Sequence, residues 1–128
     1  MFLMSSWSMA QTVIVTAHRG ASAYAPENTL EAVNRALEIG VDRIEVDVAT
    51  TRDGYVVCLH DKTLNQTCNI DGDVRDFTFI ELTDIRANKG FEVDYPDVVI
   101  PSLESIIKVI DGKCELVIEI KSGGEYYP

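Results

Sequence analysis

The sequence predicts an α/β fold built on a parallel sheet covered on both faces. Three observations carry this expectation. Short apolar runs alternate with segments of helical periodicity, in the order strand, helix, strand, helix, strand. The strand runs are rich in Val and Ile, as strands buried on both sides are. Polar residues gather towards the strand ends: His18-Arg19, Glu45 and Asp47, His60, and Glu119 with Lys121. The C-terminal rim of a parallel barrel is where barrel enzymes place their chemistry.

Val13-Ile14-Val15 reads as a buried strand that runs into Thr16-Ala17-His18-Arg19-Gly20. Pro26-Glu27-Asn28-Thr29 opens a helix, with Asn28 or Thr29 as its cap and Glu31 at the positive end of its dipole. Leu30, Val33 and Leu37 give that helix one apolar face, and Gly40 stops it. Residues 43–48 form the next strand. Glu45 and Asp47 share one face of it, and Ile44, Val46 and Val48 share the other. Asp53-Gly54 is a tight-turn signal before the strand Val56-Val57-Cys58-Leu59. The connection is too short for a helical crossover, so this step reads as a hairpin extension. A two-residue turn centred on Asp53-Gly54 sets His60 opposite Asp47.

Residues 62–100 read as loop-rich, with a short helix over residues 79–88. Ser102 caps a helix that runs to about Ile110 and ends at Asp111-Gly112-Lys113. Residues 116–121 form the last strand.

Composition bounds the function. The 128 residues carry a net charge of −10 with 46% hydrophobic residues, which suits a globular chain and not a disordered tail. No run approaches the ~18 apolar residues of a membrane span, and no basic cluster suits nucleic acid. Cys58, Cys68 and Cys114 form no CxxC pair and are odd in number, so they read as core or loop residues rather than a disulfide framework or zinc site. Residues 1–11 read either as a cropped signal peptide, with Ser8-Met9-Ala10 as its cleavage tail, or as a disordered start. The first reading implies a periplasmic or exported protein, the second a cytoplasmic one.

Glu45 and Asp47 alone fit either a solvated edge strand or a cation site. Glu119, a third acid in a very apolar strand, favours the cation site, because three carboxylates suit Mg²⁺ or Ca²⁺. His18 and His60, the two histidines of the chain, each follow an apolar strand and can act as base and acid near neutral pH. Arg19 and Lys121 either salt-bridge these acids or clamp a phosphate. Base, acid, hard cation and phosphate clamp fit phosphoryl chemistry better than acyl transfer. Neither a GxSxG elbow nor a GxxxxGK[ST] loop is present.

His18-Arg19-Gly20, Pro26-Glu27-Asn28-Thr29, Ile44-Glu45-Val46-Asp47-Val48, Thr51-Arg52-Asp53-Gly54, Leu59-His60-Asp61, Ile100-Pro101-Ser102-Leu103 and Glu119-Ile120-Lys121 follow one another in the order and spacing of the glycerophosphodiester phosphodiesterases. From about residue 13 to 123 the chain resembles that family. The resemblance implies the N-terminal portion of a TIM (β/α)8 barrel, apparently truncated, since such a barrel takes ~250 residues. Residues 12–128 then form a partial domain, the first half of the barrel. The implied reaction is metal-dependent hydrolysis of a small glycerophosphodiester to sn-glycerol 3-phosphate and an alcohol. Glu45, Asp47 and Glu119 are implied to bind one divalent cation, His18 and His60 to be the acid–base pair, and Arg19 and Lys121 to contact phosphate, with Glu27 near them. An inactive phosphate- or metal-binding remnant and a related phospholipase acting on intact lipids are the alternatives. Leu64-Asn65-Gln66-Thr67 stands where the family usually has Leu-Asp-Arg-Thr, which removes one basic residue near the rim. No pattern in the chain bears on its oligomeric state.

Overall fold

The computed structural model describes residues 12–120. The reading of residues 1–11 as a signal peptide or disordered start, and Lys121, lie outside them. Strand β1 (Thr16–His18) leads through a loop to helix α1 (Leu30–Ile39), strand β2 (Arg43–Thr50) and strand β3 (Val56–Cys58). Two 3₁₀ turns, at Leu64–Gln66 and Val74–Asp76, precede the short helix α2 (Phe79–Leu82). Helix α3 (Leu103–Ile110) and strand β4 (Glu115–Ile120) complete the order.

β2 is the centre of the sheet. β1 pairs parallel with its first half and β4 pairs parallel along its other edge. β3 folds back antiparallel on its C-terminal end. This is the expected parallel core with a hairpin extension, and it forms the N-terminal portion of a TIM-type barrel.

The alternation of β2 sorts its side chains by face. Ile44, Val46 and Val48 pack with Cys58, with Val33 and Ala36 of α1, and with Ile106 and Ile110 of α3. Ala49, on the face of Glu45 and Asp47, joins Val57, Leu59 and the buried residues Leu64, Cys68, Val74, Leu82, Ala87 and Ile100. The acids therefore lie on the sheet face opposite the helices, below a second apolar cluster built by the loop-rich segment.

Local chemistry explains the helix bounds. Thr29, not Asn28, caps α1, its Oγ1 accepting from the Ala32 N–H at 3.2 Å. Gly40 ends that helix at φ 81°, its N–H donating to Ala36 O and Leu37 O. Ser102 caps α3, and Asp111 closes it in the left-handed conformation.

Four expectations are corrected. The β2–β3 pairs are Val48 with Cys58, Ala49 with Val57 and Thr50 with Val56, so the register differs by one residue from the two-residue turn. The turn spans three residues between Thr51 and Tyr55, whose backbones bond at 2.9 Å, with Gly54 at φ 86°. A three-residue loop ending in a left-handed glycine is a common hairpin solution. Second, helix α2 covers only Phe79–Leu82 rather than residues 79–88. Thr78 and Glu81 start it with a capping box. The chain then leaves helical geometry so that Arg86 bridges Val99 and the Ala87 N–H reaches Val98 O. Third, Val13, Ile14 and Val15 are not buried; their exposures are 78%, 51% and 52%. Fourth, β4 is not buried on both faces: it pairs with β2, and Val117 on one face and Ile118 and Ile120 on the other are exposed.

Candidate active site

Parallel pairing of β2 with β4 sets Asp47 beside Glu119, and Glu45 lies two residues earlier on the same face. One carboxylate oxygen from each of Glu45, Asp47 and Glu119 lies within 4.8 Å of the others. Asp47 is fully buried and Glu45 is 8% exposed, while Glu119 sits on the exposed strand. Burying two carboxylates side by side is costly unless cationic or donor groups compensate them.

The β1–α1 loop supplies those groups. The Arg19 N–H donates to Glu45 Oε2 at 2.9 Å. The Arg19 guanidinium sets Nε 3.3 Å from Asp47 Oδ2 and bonds both oxygens of Glu27 through Nη1, at 3.2 and 3.0 Å. Asn28 donates from Nδ2 to Asp47 Oδ2 and accepts from the Asp47 N–H, each at 3.0 Å. Gly20 makes the loop's close approach to α1, with φ 75° and Ala32 against the position a Cβ would take.

His18 stands at the end of β1 with Nε2 3.9 Å from Glu45 Oε2, and its side chain is 66% exposed. His60 follows β3, with Nδ1 3.2 Å from Asp61 Oδ1 and its side chain 26% exposed. The corrected register brings Leu59 opposite Asp47, the Leu59 N–H donating to Asp47 O at 3.1 Å. Of the residues singled out in the sequence, His18, Arg19, Glu27, Glu45, Asp47 and Glu119 are thus joined directly or through one neighbour. Arg19 makes the salt bridge to Asp47 that its charge allowed.

Asn28 was legible only as one of two adjacent capping residues. With Thr29 taking the cap, its amide is directed to Asp47. The nearby thiol of Cys58 is pushed up to about 12 by burial, with the charge of Asp47 adding to the effect. A thiol so reluctant to ionise is core, not nucleophile.

The donor set suits a hard divalent cation. All three candidate ligands are carboxylates, and Glu45 Oε1 is buried with no hydrogen-bond partner, so a cation would satisfy it. Residues 18–127 match the model of the glycerophosphoryl diester phosphodiesterase family. The chain belongs to that family. It is 45% identical over 116 residues to a glycerophosphodiester phosphodiesterase of Caldanaerobacter subterraneus subsp. tengcongensis, covering 90% of this chain and 48% of that protein. It is 35% identical over 108 residues to the human glycerophosphodiester phosphodiesterase 1, covering 82% and 33%. Among solved structures, an Oleispira antarctica phosphodiesterase in complex with the product sn-glycerol-3-phosphate superimposes with a TM-score of 0.82 at 34% identity, covering 88% of this chain and 46% of that one. A glycerophosphodiester phosphodiesterase from Agrobacterium tumefaciens gives a TM-score of 0.78 at 34% identity, with 87% and 48% covered. The chain spans about half the length of the bacterial relatives named here and a third of the human one. Among the described residues, no helix is long and apolar enough to cross a membrane.

Proposed function

We propose that this site hydrolyses small glycerophosphodiesters to sn-glycerol 3-phosphate and an alcohol, in a reaction dependent on one divalent cation, Mg²⁺ or Ca²⁺. The observation that carries the reading is the Glu45, Asp47 and Glu119 cluster with His18 at its rim. The product named with the Oleispira antarctica structure is the product this reaction gives. Glu45, Asp47 and Glu119 would hold the cation. When bound, it would polarise the phosphoryl oxygens and offset developing negative charge.

His18 takes the proton from the glycerol 2-hydroxyl as that oxygen attacks phosphorus. Its Nε2 lies 3.9 Å from Glu45 Oε2, which places the ring at the edge of the acid cluster. His60 gives its proton to the departing alcohol, and the cyclic phosphate left behind is then hydrolysed. Arg19 and Lys121 contact the phosphate. Glu27 and Asp47 hold the Arg19 guanidinium from two sides, which limits the orientations it must search.

The two histidine roles are separable by leaving group. His18→Ala is expected to lose about 10²–10⁴-fold in rate on both glycerophosphocholine and a p-nitrophenyl analogue. His60→Ala is expected to lose as much on glycerophosphocholine and far less on the p-nitrophenyl ester, whose leaving group needs no proton. Equal losses on both substrates in His60→Ala would remove it as the acid. The carboxylate cluster by itself also fits a second reading, a phosphate- or metal-binding remnant of the family without turnover. It predicts a cation-dependent rise in melting temperature with no release of glycerol 3-phosphate.

A further inference from the structure

We propose that Asn28 is a positioning residue. It fixes Asp47 so that the cluster of Glu45, Asp47 and Glu119 presents a preset group of oxygens to a divalent cation. The inference rests on the metal-site reading above.

The geometry is that of a two-point clamp. Nδ2 of Asn28 donates to the side-chain Oδ2 of Asp47, and Oδ1 of Asn28 accepts from the main-chain N–H of Asp47. Both residues are buried, at 2% and 0% exposure. Main chain and side chain of Asp47 are therefore held by one amide, which restricts its carboxylate to one rotation.

The backbone is shaped to allow this. Asn28 lies at φ 57°, in the left-handed region, and so does Arg19. The Asn28 N–H donates to Arg19 O at 2.9 Å, which ties the two positions together. Such conformations are unfavourable for non-glycine residues and persist where surrounding contacts determine them. Asparagine tolerates this conformation better than most side chains. Helix capping does not explain the residue, because Thr29 fills that role.

The chemistry also selects asparagine. Glycine would suit the backbone but has no amide. Aspartate would keep the acceptor for the Asp47 N–H, yet it would set a second carboxylate against Oδ2. A neutral donor bonded to a ligating carboxylate is the kind of support that orients metal ligands, and its loss commonly costs 10–100-fold in affinity.

The test is Mn²⁺ affinity by isothermal titration calorimetry on the full chain, far below its melting temperature, with apo melting curves recorded alongside. Asn28→Gly leaves the left-handed backbone unstrained and removes the side-chain clamp, with the loss of packing that goes with it. It is expected to bind Mn²⁺ about 10–100-fold more weakly than wild type. Asn28→Ala is expected to show the same loss of affinity and an apo melting temperature below that of Asn28→Gly, because alanine is strained at this φ. Unchanged Mn²⁺ affinity in Asn28→Gly would reduce the residue to a structural role and overturn the proposal. A loss in Asn28→Ala absent from Asn28→Gly would assign the effect to the backbone and overturn it too, as would a wild-type chain that binds no Mn²⁺. Hydrolysis is measured separately. A chain that binds Mn²⁺ in an Asn28-dependent manner but releases no glycerol 3-phosphate supports the clamp and contradicts the proposed reaction.

Discussion

Asp47 is the residue on which the site depends, because its buried carboxylate must be compensated from several directions at once. Arg19 and Asn28 converge on it, while the strand partner Glu119 sets a further carboxylate beside it. Its charge also reaches Cys58, whose thiol burial already pushes up from an ordinary value near 9 to about 12. Above pH 9 the unfolded chain loses that proton while the folded chain keeps it. This contribution to stability is therefore complete below about pH 9 and falls by about 1.4 kcal/mol per pH unit until about pH 12. Guanidinium melts across this range should show an alkaline decline that is shallower in Cys58→Ala, and equal slopes would contradict the assignment. At this scale the sequence was informative where chemistry repeats. Three acids and two histidines at strand ends pointed to one rim, and the structure joins His18, Arg19, Glu27 and the acids there. Asn28 was less legible, because asparagine before threonine at a helix start reads as a cap. Only the left-handed backbone at Asn28 directs its amide to Asp47.

The β1–α1 loop is the element that turns a strand with two acids into a site. It delivers the Arg19 N–H to Glu45 and the Asn28 amide to Asp47. Its path depends on Gly20, where an added Cβ would meet the Ala32 carbonyl carbon and Cβ at 2.8 Å and φ is 75°. Gly20→Ala is expected to cost about 2–4 kcal/mol, from overpacking and left-handed strain together. Urea unfolding measures it, and a cost below about 1 kcal/mol would mean that the loop has another way to pass α1. Helices α1 and α3 and the hairpin were legible because caps, glycines and apolar periodicity are local signals. The hairpin register was not, because Asp53-Gly54 fits two- and three-residue turns alike. Here Thr51 Oγ1 bonds Asp53 Oδ1, which also accepts from the Phe79 N–H, and Tyr55 stacks on Phe79. Those contacts with a segment over twenty residues away favour the longer turn. The same tertiary demand shortened α2, since Arg86 and Ala87 pair with Val98 and Val99.

At the scale of the whole molecule, three parallel strands carry the acids on one face and pack α1 and α3 on the other. Alternating elements made this architecture readable, whereas the exposure of Val13, Ile14, Val15, Val117, Ile118 and Ile120 reflects sheet edges without neighbours among the described residues. Three carboxylates within 4.8 Å also make the apo fold sensitive to cations. Saturating Mg²⁺ or Ca²⁺ at about 100 times its dissociation constant should stabilise the chain by about 2.7 kcal/mol. Thermal melts of wild type and Glu45→Gln would detect this as a cation-dependent shift present in the first and reduced in the second.

In the proposed function these acids and histidines form a cation-dependent phosphodiesterase site. Its most direct test is the rate of glycerol 3-phosphate release from glycerophosphocholine by the chain, measured before EDTA, after EDTA and after Mg²⁺ or Ca²⁺ is restored. Release should be abolished by EDTA and restored by the cation, with none in Glu45→Gln. Release indifferent to EDTA, or undiminished in Glu45→Gln, would contradict the proposed function.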